Sequence, residues 1–166
     1  MAFQKNSLQK LFVDTLKDLY DAEHQIIEAL PKMAQSASSQ DLKTSLNQHL
    51  DTTRRQAERL EQVFRTLNEQ PERKKCVGME GLIREGQQHM QELKNDQDAL
   101  DANLIASAQK VEHYEIAGYG TAKTYAQMLG HREAVNLLDQ NLSEECATDE
   151  RLTKIAEGHV NLKAIT

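Results

Sequence analysis

The chain has 166 residues, 39% hydrophobic and 28% charged, with 20 basic against 26 acidic side chains for a formal charge of −6. That length suits a single domain, 1–166, with a sizeable core. The acidic balance excludes broad nucleic-acid binding through a phosphate-neutralising face. Two prolines, seven glycines and few β-branched residues among abundant Ala, Leu, Gln, Glu and Lys predict an all-α fold. No stretch reads as a signal peptide or a membrane-spanning apolar run, so no membrane role is expected. Cys76 and Cys146 are isolated thiols without metal-knuckle spacing, which places the chain in a reducing cytoplasm.

The first predicted helix opens with Ser7 as its N-cap and carries Leu8, Leu11, Phe12, Leu16, Leu19, Ile26, Leu30 and Met33 at helical spacing. Pro31 is expected to kink or end it. After the "SASSQ" turn a second helix carries Leu42, Leu46, Leu50, Leu60 and Phe64. A short third helix is predicted from Met79 to Lys94, a fourth from Asp101 to Leu129 ahead of Gly130, and a fifth from Arg132 to Glu157.

Sliding the chain by 92 residues lays the first two helices on the last two. Leu8 meets Leu100, Glu23 meets Glu115, Ala34–Gln35 meets Ala126–Gln127, and "ERL" at 58–60 meets "ERL" at 150–152. Ten identities over 58 positions are weak alone, but core positions match core positions and the turns coincide. Two duplicated helix pairs, 8–65 and 101–157, joined by a connection over 66–100 with its own short helix, describe a four-helix bundle with a crossover.

Acids interrupt the apolar stripes. The fourth helix runs Leu104, Ala108, Val111, Glu115, Gly118, Ala122, Tyr125, with Glu112 beside the stripe. The fifth runs Leu138, Leu142, Glu145, Asp149, Leu152, Ala156, and the first runs Leu16, Leu19, Glu23, Ile26, Leu30. A buried ionised carboxylate costs several kcal/mol unless it is paired, protonated or bound to a cation. No Arg or Lys lies on these stripes, so Glu23, Glu112, Glu115, Glu145 and Asp149 are the candidate metal ligands. The histidines lack metal spacing; His49 reads as a packed or exposed residue, and Tyr20 as a core tyrosine with a satisfied hydroxyl. Gly118 and Gly120 are read as allowing a close helix approach, near the site or at a dimer interface.

The segments "LYDAEHQI", "HLDTTRRQAERLEQVF", "CVGMEGLI", "AQKVEHYEIAGYGT" and "LSEECATDERLTKIA" resemble the YciF/YciE-like bacterial stress proteins of the ferritin-like superfamily, whose bundles hold di-iron or di-manganese carboxylate centres. The resemblance covers about residues 8–160. It implies a ferritin-like bundle, a homodimer and a link to stress responses, and it puts Glu23, Glu112, Glu115 and Glu145 where relatives keep acids. The chain departs from the ferritin-like Glu-x-x-His pattern, reading Thr53-x-x-Gln56 and Glu145-x-x-Thr148. Thr52 also stands where relatives often carry Glu, with Asp51 beside it.

Two functions follow. One is a buried Fe or Mn site, of one or two ions per chain, that reacts with O2 or peroxide. The other is a non-catalytic helical homodimer with a degenerate site, acting in the stress response through protein interactions. Whether the chain is an enzyme is left open between them.

Overall fold

The computed structural model describes residues 7–165. Among these there is no strand. Four long helices, α1 (Ser7–Ser36), α2 (Gln40–Thr66), α4 (Gln97–Met128) and α5 (Arg132–Ile155), surround a common core, and α3 (Val77–Glu92) sits on the crossover. A π turn, Ala156–Val160, and the short α6, Asn161–Lys163, continue from α5. No helix among the described residues is long and apolar enough to cross a membrane.

Local chemistry explains where the boundaries differ from expectation. Ser7, where the described residues begin, is itself helical rather than a cap before α1. α1 passes through Pro31 and ends five residues later, at Ser36. Proline removes one amide donor, and burial of Ile26, Leu30 and Ala34 on the same face holds the last turns together. α3 and α4 start earlier than predicted because each has a cap upstream. Cys76 Sγ accepts from the Met79 amide at 3.4 Å, and Asp96 Oδ1 accepts from the Ala99 amide at 3.1 Å.

α4 closes as predicted at Gly130, whose φ is +79°. The Gly130 amide donates to the Gln127 carbonyl and the His131 amide to the Ala126 carbonyl, a paired closure that satisfies two end carbonyls. An L side chain is strained at this φ, so Gly130→Ala is expected to cost about 1 kcal/mol in urea unfolding. An unchanged midpoint would contradict that assignment.

α1 packs on α2 and α4, α2 on α5, and α4 on α5, giving the ferritin-like layout. The duplication is visible in the ends: at an offset of 92, Ser36 matches Met128 and Gln40 matches Arg132. α3 lies across α1 and α4. Gly118 does permit a close approach, since a Cβ there would lie 2.7 Å from Leu19 Cδ2; at Gly120 nothing lies within 4 Å.

The core falls into two clusters. One holds Leu30, Leu42, Leu46, Leu104, Ile105 and Leu152. The other holds Phe12, Leu16, Leu60, Phe64, Tyr119 and Leu138. At intermediate heights on the helices lies a buried polar belt that includes Glu23, His49, Thr53, Gln56, Glu112, Glu115, Asn141, Glu145 and Thr148.

Candidate metal centre

Six acids in the described chain are buried, and they fall into two kinds. Asp101 accepts from the Ser38 amide at 2.8 Å, the Ser38 hydroxyl at 2.7 Å and the Ser39 amide at 2.7 Å, which fastens the α1–α2 turn to α4. Asp21 accepts from the Cys76 amide and Gln25 Nε2 at 2.7 Å and from Arg73 Nε at 2.8 Å. Burial pushes Asp21 up, but these donors outweigh it and hold the carboxyl below its usual range. These two acids are anchored by ordinary means.

The other four are not. Of the eight carboxylate oxygens on Glu23, Glu112, Glu115 and Glu145, only Glu23 Oε1 has a well-formed protein donor, the hydroxyl of buried Tyr119. All four residues are at most 1% exposed. Such orphaned charge in a packed interior demands protons or a cation. Arg59, on α2, is held in a two-point grip by Glu144 and also by Asn141.

His49 completes the arrangement. Ligand atoms of His49, Glu112, Glu115 and Glu145 all lie within 4.8 Å of one another, with His49 Nε2 3.0 Å from Glu112 Oε1. The pair lacks hydrogen-bond alignment, leaving both ring nitrogens of His49 without a partner. α2 supplies the imidazole, α4 two carboxylates at i, i+3, and α5 the third. Glu23 on α1 lies against them, its charge and those of Glu112 and Glu145 all acting on Glu115.

The electrostatics follow from crowding. Burial, then the charges of Glu145, Glu23 and Glu112, raise Glu115 well above the usual carboxylate range. Burial and the charge of Glu145 likewise raise Glu23, against the pull of Tyr119. Glu145 rises through burial and its contact with Glu112. Burial lifts Glu112 to about 7. His49 moves the opposite way, because burial favours its neutral form. Tyr119, buried among acids, keeps its proton and donates it to Glu23. Gln56 lies close enough to favour a charged Glu145, yet its amide makes no well-aligned hydrogen bond.

Three carboxylates with a neutral imidazole form a mixed oxygen and nitrogen donor set that suits Fe(II) or Mn(II). The buried cluster can therefore hold a metal ion. Residues 7–165 match the family described as a domain of unknown function, DUF892. The chain belongs to this family.

The DUF892 chain is 45% identical to the protein YciF of Escherichia coli (strain K12) over 159 residues, 95% of each chain. The crystal structure of that E. coli stress protein superposes with a TM-score of 0.89 at 44% identity, covering 95% of this chain and 99% of that one. YcfI of Rhodopseudomonas palustris, described provisionally as a structural protein, superposes at 0.87 with 42% identity, covering 92% and 97%. A Xanthomonas campestris protein at 20% identity shares the fold, with a TM-score of 0.74.

The structure of this DUF892 chain brings Glu112, Glu115 and Glu145 together with Glu23 beside them, but Asp149 lies apart from the convergent group. Its side chain is 20% exposed and faces Gln109 Nε2 at 3.1 Å and His113 Nε2 at 3.2 Å. Thr148 takes the inward position one residue earlier. Tyr20 donates to Glu61 at 2.9 Å, so its hydroxyl is satisfied away from the acids. His49 and Tyr119 are the members that reading the sequence passed over. His49 falls on the buried line Leu42, Leu46, His49, Thr53, Gln56, Leu60, whereas Leu50 is only half-buried.

Proposed function

We propose that this chain is a stress-associated ferritin-like protein that holds Fe or Mn through His49, Glu112, Glu115 and Glu145, with Glu23 available to a second ion or a shifted one. The observation that carries the reading is the group of four buried acids with seven of their eight carboxylate oxygens left without donors, in a chain that anchors Asp21 and Asp101 fully. The similarity to a named stress protein supports the cellular context. Two free cysteines suit a reducing cytoplasm, and we take the working unit to be a homodimer.

Bound there, Fe or Mn would supply redox chemistry towards O2 or peroxide. The chain's own residues do the rest. Glu112, Glu115 and Glu145 neutralise a divalent charge, and neutral His49 supplies a nitrogen donor without adding positive charge. Tyr119 fixes one oxygen of Glu23 and leaves the other free. The two core clusters on either side exclude bulk water.

The test is elemental analysis after anaerobic reconstitution with Fe(II) and, separately, Mn(II). The wild type should retain about one to two ions per chain, and the Glu115→Ala, Glu145→Ala double variant none. Substoichiometric metal that is equal in both proteins would overturn the reading. His49→Ala should weaken affinity by roughly tenfold or more, while Asp149→Asn should leave stoichiometry unchanged. A loss in Asp149→Asn equal to that in His49→Ala would redraw the ligand set.

A second reading is a non-catalytic scaffold acting through protein interactions. It is favoured by the buried Thr53, Gln56 and Thr148, which stand where Glu-x-x-His ligands are expected. The provisional structural description of the R. palustris relative points the same way. On that reading reconstitution yields no stoichiometric metal.

A further inference from the structure

Two small cavities lie next to each other beneath α3. The outer, about 30 Å³, has exposed Lys32 and Gln87 on its wall. The inner, about 20 Å³, has His49 as the single polar side chain on its wall. Ala29, Met33, Ile83 and Val111 line both, so the two cavities share four apolar side chains. His49 is 2% exposed and 3.0 Å from Glu112. The inner cavity therefore abuts the metal centre, while the outer one reaches surface residues.

We infer that these cavities form an apolar passage that admits O2, rather than a polar oxidant, to the His49 edge of the centre; the inference rests on the metal-site reading above. Each cavity exceeds the roughly 10–15 Å³ that one water-sized molecule needs. Apart from His49, the side chains lining the inner cavity offer no hydrogen bond. A molecule that donates and accepts hydrogen bonds, such as peroxide or water, gives them up on entry, at a cost of roughly 1–3 kcal/mol per unpaired group. Dioxygen has no such bonds to lose. α3, contributing Ile83 to the shared wall, is the roof of the passage.

The passage is tested without metal, on the full chain treated with chelator and labelled at methyl groups. NMR spectra are recorded under rising O2 pressure against an argon control. The Ile83 and Val111 methyls should show paramagnetic relaxation several-fold larger than those of Leu60 and Leu138, which are fully buried in the other core cluster. Ala29→Leu, from α1, should abolish the excess at both methyls; Val111→Phe, from α4, should abolish it at Ile83 and guards against a folding defect in the first variant. Excess relaxation no greater than at Leu60 and Leu138 would overturn the passage, as would an excess that neither filled variant reduces. Because the measurement uses no metal, loss of the metal-site reading leaves its outcome legible, and the reverse also holds.

Discussion

Adding Mn(II) to the chelated protein should raise its melting temperature by about 5–10 °C at a metal concentration near a hundred times the dissociation constant. A ligand that binds only the folded state at that excess contributes about 2.7 kcal/mol, and each kcal/mol moves the midpoint of a chain this size by roughly 2–4 °C. The source of the effect is local. His49, Glu112, Glu115 and Glu145 come from α2, α4 and α5 and converge within 4.8 Å, so the unfolded chain has no equivalent site. The control is Glu115→Gln with Glu145→Gln, which keeps shape and hydrogen-bonding capacity but removes two charges. Differential scanning calorimetry should show the metal-dependent rise vanish in that variant. If the rise survives, the ion binds elsewhere on this acidic chain.

Without metal, the protein should lose stability as pH rises from about 5 to 8, the reverse of ordinary acid denaturation. In the folded state Glu112 titrates at about 7 because of its burial, whereas an unfolded Glu titrates at about 4.3. Between those values the folded state binds a proton that the unfolded state does not. Unfolding free energy therefore falls with rising pH across that window, and this contribution is complete only below about 4.3. For Glu112 alone the difference amounts to about 4 kcal/mol. Glu23, Glu115 and Glu145 are shifted in the same direction and extend the decline upward. His49 opposes it below about 6.5, since its folded state resists protonation. One imidazole does not cancel four carboxyls. Bound metal displaces these protons, so Mn(II) affinity should climb over the same interval. Urea melts at several pH values with and without Mn(II) check both trends. A metal-free stability that is flat or rises with pH would remove the case for protonated acids at the centre.

Much of this was legible in the sequence, and the gaps have a geometric cause. The all-α class, the helix order and the duplication followed from residues that repeat at helical spacing, and the turns at 37–39 and 129–131 fall at the same 92-residue offset. Glu23, Glu115 and Glu145 were visible because each replaces an aliphatic residue on an apolar stripe. Asp149 looked equivalent because the stripe on α5 was drawn through Leu142. The buried line in fact runs Leu138, Asn141, Glu145, Thr148, Leu152, one residue around the helix. The same shift hid His49 behind Leu50 and Tyr119 behind Gly118. Polar residues filled the inward positions in each case, so hydrophobicity alone pointed to the neighbouring face. Only the tertiary packing decides between faces about 100° apart.

The polar belt also governs how the molecule comes apart. Each of the four long helices gives one part of its length to the cluster around Leu104 and another to the cluster around Leu60. Neither lobe is a contiguous stretch of chain, so no cut of the sequence frees one from the other. Either lobe can loosen while its counterpart still clamps all four helices in register. Backbone amides of Leu60 and Val63 should then exchange with deuterium at a free energy distinct from that of Leu104 and Ile105. Opening at one end becomes a reversible excursion that preserves the topology, and the way back to the native state needs no search.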